Sequence, residues 1–322
     1  YPRGYIGGGG QALSNYSLQC PGSGALFALD ADTTYTDTDA WPRALGAPVT
    51  DDGSPLVYGD RMVWGSFCPV SNPGSPYFTA PFDGVRVNAA VFAHDREDLR
   101  DVRFVRYEIT NTGSTPITDL RVGYWSDTDS PTGHAEAVGY EAPSGLSYTY
   151  NLQPRGQSVA STGFAFLETP TSAPLLAHRI MRKNLDPLFW EDADRVEQVL
   201  FALDGLDNEG RPMIDPVSNQ PSRFAYTGDP FAGDGTPGSG TGWLDCLEYE
   251  WNGEMRRTCG DRDIRHMTSA GPIDLAPGAT VVTTLFVHTA IESSPEASYE
   301  SVRRTLLAVR SEPGLWQFQP QR

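Results

Sequence analysis

Lysine, cysteine and long apolar runs are all scarce in this sequence. Its 322 residues include one lysine, Lys183, and four cysteines, none of which forms a Cys-x-x-Cys pair. The missing pair excludes a thioredoxin-like redox motif and leaves a zinc ribbon without support. No apolar run approaches the ~20 residues that a membrane-spanning helix needs, so we expect no insertion into a membrane.

Positive charge is also in deficit. The chain has 41 acidic and 24 basic residues, which gives a formal net charge of −17. Nucleic acids and anionic membrane surfaces are bound by clustered positive charge. Neither is therefore expected as a partner of this protein.

Sequence signatures of catalysis are missing as well. There is no G-x-S-x-G, H-E-x-x-H or G-x-x-x-x-G-K-[ST] motif, and no G-x-G-x-x-G directly after a predicted strand. The five histidines are scattered, and no two of them have metal-ligand spacing. We therefore predict a non-enzymatic protein. A serine, a histidine and a carboxylate that only the fold brings together would be the exception.

The residues that are present predict a disulfide-closed β-hairpin. Cys246 and Cys259 flank an Asn-Gly dipeptide at 252–253, the strongest short signal for a type I′ hairpin turn. With that two-residue turn, paired residues have numbers that sum to 505, so the two cysteines face each other. They fall in a non-hydrogen-bonded pair, where Cα atoms approach to ~4.5 Å, within disulfide range. The same register places Glu248 opposite Arg257.

A second disulfide, Cys20–Cys68, follows by elimination. Two disulfides predict an oxidising compartment. The sequence starts at Tyr1 without a charged and apolar leader, so we expect an exported chain whose signal peptide has been removed. Asn15 lies in an Asn-x-Ser sequon and is a candidate glycosylation site.

Short β-rich runs dominate the sequence and predict one large antiparallel β-sandwich over residues 1–322. Turns recur every ~8–12 residues, which is typical of such folds. Core strands are expected within about 80–168 and 271–290, where 271–275 and 280–290 form a final pair around the turn 276–279. Residues from about 170 to 265 are rich in Gly, Pro, Asp and Ser and read as a long loop-rich insertion.

Two short peripheral helices interrupt this pattern. The first has apolar residues at helical spacing before Gly205: Val196, Val199, Leu200 and Leu203. The second spans about 295–310, with Ser294 as its N-cap and Pro295 at its first position. Its apolar stripe, which we expect to pack on the sandwich, consists of Tyr299, Val302, Leu306 and Val309.

The acidic stretch 124–141, YWSDTDSPTGHAEAVGYE, is the part of the sequence that most resembles a site. Asp127 and Asp129 lie two residues apart at a strand end, and Glu136 and Glu141 could complete a set of calcium ligands after the loop turns back. A plain polar turn explains the same residues, because Asp and Ser bond to their own backbone. A glycosidase-type acid and base is a third interpretation, without support from an apolar pocket.

Tryptophan offers a second candidate site. Aromatic faces bind sugar rings, and Trp243 and Trp251 lie near the predicted hairpin. We name them as candidate glycan-binding residues. The alternative is that the seven tryptophans, which are spread along the chain, belong to the core and the sheet faces.

Several segments resemble a group of large secreted and surface proteins of Bacteroidetes and Rhodothermus-like bacteria. The resemblance covers about residues 80–290 and rests on FVRYEITNTGSTPITDLRVGYWSDTD, AVGYE, LSYTYN, STGFAFLETP, FAYTGDPFAG, GTGW and SAGPIDLAPGATVV. Members are exported, frequently carry a C-terminal type IX sorting domain, and mostly have no assigned activity. The resemblance implies an extracellular or cell-surface location.

The group's pattern runs D-x-D, a Gly-containing loop, D-D-x-V-G-x-D and then Y-x-Y-N. Asp127, Asp129 and the later V-G and Y-T-Y-N residues match it, whereas Ala135 and Glu136 replace an acidic pair and Glu141 replaces the last aspartate. The resemblance therefore implies a structural loop that holds calcium only conditionally. Together with the missing catalytic motifs, it leads us to expect a structural protein that forms a homopolymeric surface layer or filament. A secreted polysaccharide-binding module is the alternative.

Overall fold

The computed structural model describes residues 26–30, 41–67, 84–128, 136–141, 143–151, 158–169, 175–182, 196–215, 220–223, 247–249, 255–257 and 264–318. Strands dominate these ranges. In chain order they are β1 Leu26–Asp30, β2 Arg61–Phe67, β3 Val85–Ala93, β4 Val102–Asn111, β5 Ile117–Asp127, β6 Glu136–Glu141, β7 Leu146–Asn151, β8 Val159–Glu168, β9 Leu175–Arg182, β10 Met213–Asp215, β11 Gln220–Ser222, β12 Leu247–Tyr249, β13 Met255–Arg257, β14 Ile264–Leu275 and β15 Thr280–Glu292. The helices are α1 Val196–Leu203 and α2 Pro295–Ser311.

Eight strands form one antiparallel sheet in the order β1-β2-β3-β4-β15-β8-β7-β6. A three-stranded antiparallel sheet has the order β5-β14-β9, and β10-β11 and β12-β13 are short hairpins. The prediction of a mainly β fold with antiparallel sheets and two helices is confirmed. Strands β1, β2, β9, β10 and β11 were not predicted, and the last three lie within the segment that the sequence marks as loop-rich.

The two faces of the large sheet are covered differently. One face, which we call the helix face, carries the main core: Phe104 on β4 lies between Phe92 and Phe286 on the adjacent strands, and α2 packs there. On the opposite face, which we call the second-sheet face, Val87 and Ile109 contact apolar residues of β5 and β14. Each strand contributes to both faces, because successive side chains of a strand point to opposite sides of the sheet.

Asn111 holds two of the points where the chain passes from one sheet to the other, β4 to β5 and β14 to β15. Its side-chain amide donates to the carbonyls of Leu275 and Thr115, at 2.9 and 2.8 Å. Its backbone carbonyl accepts from the N–H of Gly278, in the turn after β14. The predicted pair 271–275 and 280–290 is therefore divided: β14 belongs to the small sheet and β15 to the large one.

Helix α2 follows its local sequence signals. The hydroxyl of Ser294 accepts a hydrogen bond from the N–H of Ala297 at 3.2 Å, and Pro295 occupies the first helical position. The predicted stripe is fully buried on the helix face of the sheet: Tyr299, Val302, Leu306 and Val309 are each 0% exposed. Helix α1 is also confirmed, and Gly205 after it has a positive φ of 71°.

The hairpin β12-β13 exists, but its register differs from the predicted one. Glu248 pairs with Arg256, not with Arg257, and five residues lie between the last pair, Tyr249 and Met255. A two-residue turn would have paired Glu248 with Arg257. The predicted register is therefore wrong by one residue, and residues that it placed on the same face of the hairpin lie on opposite faces. The geometric argument for Cys246 opposite Cys259 loses its support.

Several predicted residues lie outside the described ranges. They are Asn15, Cys20, Cys68, Asp129, Trp243, Cys246, Trp251 and Cys259. Both disulfides therefore stay predictions. No helix in the described part of the chain is long and apolar enough to cross a membrane.

Candidate functional site

Asp127, the first residue of the predicted calcium set, has an arginine partner. It ends β5 directly opposite Arg265 on β14, and its carboxylate accepts a hydrogen bond from Nε of that arginine at 3.1 Å. The Arg265 side chain is only 7% exposed. A buried guanidinium requires a counter-ion, and Asp127 supplies it.

Glu141, at the other end of the acidic stretch, is held in the same way. Its carboxylate lies 2.7 Å from Nε of Arg303 on α2 and also accepts a hydrogen bond from the Ser144 hydroxyl. The hydrogen bond to Glu141 raises the pKa of Arg303. Glu136 starts β6, and its side chain is not among those described. A calcium ion would have to compete with arginines for two of the four predicted ligands.

A serine and a histidine do meet in space, between the two sheets. Ser147 Oγ on β7 lies 2.7 Å from Nδ1 of His266 on β14, and the Phe164 ring lies beside the imidazole, tilted by 56°, with 5.1 Å between centroids. Such a pair can activate a serine nucleophile when a substrate reaches it. Both residues are 0% exposed. The contact therefore joins the two sheets, and no substrate could approach it without their separation.

A buried arginine cluster, which the sequence analysis missed, lies on the helix face. The guanidinium of Arg106 donates to Glu108 at 3.1 Å, to Glu168 at 3.1 Å and to the carbonyl of Phe318 at 2.9 Å. It also lies 5.7 Å from the ring centre of Tyr58. All three nitrogens are thus engaged, and the cluster ties β4 and β8 to the segment that follows α2.

Burial raises the pKa of Glu108 and of Tyr58 in this cluster. Two carboxyl groups in unequal environments are also what a glycosidase uses. In this cluster, however, one guanidinium holds both carboxylates and is itself only 1% exposed. The arrangement anchors the chain. Its sequence signal was the pattern of β4, in which Arg106 and Glu108 follow Val102 and Phe104 on a single buried face.

The described tryptophans belong to the core. Trp41 and Trp64 are each 2% exposed and Trp316 is 9% exposed, while Trp125 is half-buried. The described part of the chain therefore presents no exposed tryptophan for sugar stacking. Trp243 and Trp251 stay a prediction.

An open groove lies at the β1 end of the large sheet, with a volume of about 590 Å³. Strands β1 to β4 and the turn between β3 and β4 line it. Its apolar floor includes Val63 and Val91, which face each other across β2 and β3 and are 40% and 42% exposed. Four arginines contribute to its lining: Arg61, Arg96, Arg100 and Arg103.

The two edge strands of the large sheet differ in exposure. On β1, Leu26 is 57% exposed and Ala28 is exposed, and no described strand pairs with its outer edge. On β6, at the opposite edge, Val138, Tyr140 and Glu141 are buried. An exposed apolar edge is a ready template for pairing with another strand.

Comparison with known proteins gives little information about the function of this chain. No protein-family model matches the chain, and no curated protein matches it. Among the solved structures that it resembles is "Putative kojibiose phosphorylase from human microbiome", with 7% sequence identity and a TM-score of 0.37. That likeness covers 80% of this chain and 21% of the other chain. A similarity at this level carries no argument about activity.

Proposed function

We propose that this protein is a non-enzymatic structural protein of the cell exterior that associates with copies of itself. In this proposal the eight-stranded and three-stranded sheets are the two layers of a β-sandwich. The polar clusters support a structural role because they join elements of the fold: Ser147 to His266, Asp127 to Arg265, and Arg106 to three separate groups.

The observation that carries the proposal is the exposed edge of β1. Backbone groups on an unpaired edge can bond to a strand of another molecule, while apolar side chains beside the edge add buried area. Leu26 and Ala28 supply such side chains. Antiparallel pairing of β1 with the same strand of a second copy is a two-fold contact. A layer or filament built from such pairs needs a second contact elsewhere.

Light scattering over a range of concentrations tests self-association. We expect the mass of the native protein to rise to at least that of a dimer, and Leu26→Lys combined with Ala28→Lys to keep it monomeric, because edge lysines block pairing. Leu307→Lys is the matched control, since Leu307 is 43% exposed on α2, far from β1 in sequence. A native protein that stays monomeric up to ~100 μM, a concentration at which moderate self-association is populated, would reject the proposal.

Export and disulfides belong to the same proposal. Mass spectrometry of unreduced peptides should show Cys246 linked to Cys259 and Cys20 linked to Cys68. Crossed pairing or free thiols in protein from the native source would remove the argument for an oxidising compartment.

A further inference from the structure

A row of polar side chains crosses the helix face of the large sheet near the end of β2. Ser66 on β2 lies directly opposite Asn88 on β3, and Asn88 lies opposite Glu108 on β4. Arg86 precedes Asn88 by two residues, so its side chain leaves β3 on the same face. Ser66 is 1% exposed and Asn88 is 7% exposed. Polar groups buried in this way need hydrogen-bond partners within the fold.

Three polar atoms of this row have no such partner. They are Ser66 Oγ, Asn88 Oδ1 and Arg86 Nε, and each is buried without a hydrogen bond to any described residue. A single buried group of this kind can be tolerated at a cost in stability. Three of them on adjacent positions of one sheet face point to a common partner.

The loop that includes Leu45 and Gly46 fixes the orientation of the Asn88 amide. Nδ2 of Asn88 donates to the carbonyls of these two residues, at 3.2 and 3.4 Å. Because carbonyl oxygens require a donor, the amide cannot be turned round, and its oxygen needs a donor from elsewhere. The loop comes this close because residue 46 is glycine: a Cβ there would lie 2.9 Å from Nδ2 of Asn88.

The chemistry of the three atoms defines the missing partner. It must donate to Oδ1 of Asn88 and accept from the N–H of Arg86, whereas the hydroxyl of Ser66 can do either. An anion cannot donate to the amide oxygen, and a metal cation cannot accept from the guanidinium. The charges nearby are already balanced, since Glu108 and Glu168 stand beside Arg86 and Arg106. The partner is therefore neutral, with both donors and acceptors.

We propose that an internal water molecule bridges Ser66, Arg86 and Asn88. It accepts from Nε of Arg86 and donates to Oδ1 of Asn88 and Oγ of Ser66. Three hydrogen bonds are the usual number for a buried water, and a site with one residue only 1% exposed admits nothing much larger. The water joins β2 to β3 and, through the amide of Asn88, links both strands to the loop at Gly46.

The sign of a stability change tests this proposal. With the water in place, Ser66→Ala removes one of its three hydrogen bonds and should lower the melting temperature by ~1–4 °C. Without it, the same variant removes an unpaired buried hydroxyl, which leaves the melting temperature unchanged or raises it. Arg86→Met keeps the aliphatic stem, removes the donor and should also lower the melting temperature. Differential scanning calorimetry measures both variants.

Thr283→Val is the matched control. Thr283 is 0% exposed, and its Oγ1 also has no hydrogen-bond partner in the described part of the chain. It lies on the opposite face of the sheet, next to Val281 in the alternation of β15. Loss of this hydroxyl should not lower the melting temperature. A decrease as large as that of Ser66→Ala would overturn the proposal, because loss of any buried hydroxyl would then explain both.

A crystal structure at about 1.8 Å resolution observes the water directly. We expect a density peak about 2.6–3.2 Å from Ser66 Oγ, Arg86 Nε and Asn88 Oδ1, and a weakened or displaced peak in Ser66→Ala. The proposal is overturned if there is no peak, if Ser66 Oγ bonds directly to Asn88 Oδ1, or if anomalous scattering identifies an ion at the peak. It is also overturned if Ser66→Ala raises the melting temperature or leaves it unchanged.

Discussion

Both ends of the large sheet carry arginines, but the arginines have different roles at the two ends. At the β6 end, Arg303 and Arg310 of α2 reach over the sheet: Arg303 binds Glu141, and Arg310 donates to the carbonyls of Ser144 and Phe166. At the β1 end, Arg61 forms an ion pair at the surface, with a side chain that is 66% exposed. We call these the clamped end and the open end.

The contrast shows that the role of an arginine depends on whether other elements of the fold cover it, since the residue type is the same at both ends. Helix α2 and the second sheet cover the clamped end on both faces, so each guanidinium there has a fixed partner in a partly buried site. At the open end the second-sheet face is exposed around Val63 and Val91. Arg61 and Arg100 remain largely solvated there, and their surface ion pairs contribute little free energy, whereas the pairs of the clamped end are structural.

The largest effect is expected from a comparison of two adjacent leucines on α2, one buried and one exposed. Leu306 is 0% exposed and Leu307 is 43% exposed. Leu306→Ala should lower the free energy of unfolding by about 2–5 kcal/mol, because it leaves a cavity against the sheet, while Leu307→Ala should change it by less than ~0.5 kcal/mol. Urea unfolding measures both. Equal effects would mean that α2 does not clamp the sheet.

A second test compares one ion pair from each end. Glu141→Gln removes the buried partner of Arg303 and should cost about 1–3 kcal/mol of unfolding free energy. Asp95→Asn removes a surface partner of Arg61 and should cost no more than ~0.5 kcal/mol. Thermal and urea unfolding of the two single variants gives the comparison. A larger loss from Asp95→Asn would reverse the assignment of the two ends.

Acid should weaken the fold through His288 on β15. Burial lowers the pKa of this histidine, although the nearby Asp101 opposes the shift. Below an unfolded pKa of about 6.5 the unfolded chain binds the proton more readily, so the stability that His288 contributes is present above that pH and lost as the pH falls. His288→Gln should reduce the difference in unfolding free energy between pH ~7.5 and ~5.5. An unchanged pH slope would show that His288 does not carry this effect.

The smallest expected effect concerns calcium at the acidic stretch. Because Asp127 and Glu141 already have arginine partners, a chelator should lower the melting temperature by no more than ~2 °C. Asp129→Asn should remove that difference, and Asp119→Asn, an exposed aspartate on the same strand as Asp127, should preserve it. Differential scanning calorimetry with and without chelator decides. A difference that survives Asp129→Asn would place any ion elsewhere.

Sequence reasoning located elements well and their partners poorly. The capped helix α2 and its stripe were predicted because both signals are local, within a few residues of each other. The strands on either side of the turn 276–279 were also located, but their assignment to different sheets was not. The hairpin at Tyr249 and Met255 was predicted with the wrong register, because the register was derived from an assumed two-residue turn, and a connection of another length shifts the pairing.

The same holds for the candidate sites: single residues were predicted, but the residues that contact them were not. Asp127 and Glu141 were correctly singled out as unusual, yet their partners come from positions 138 and 162 residues away. No local spacing could predict those arginines. The cluster around Arg106 was missed for the same reason, because Glu168 and Phe318 reach it from distant parts of the chain.

The sequence by itself determined the β-rich class, the two helices, and the excess of negative charge. Those properties follow from composition and from periods of two or about four residues, which act over short distances. Only the tertiary structure decided which carboxylates are neutralised, which edge of the sheet is exposed, and where arginines gather in a groove. These features depend on contacts between residues far apart in the chain, and burial by the whole fold sets their energies.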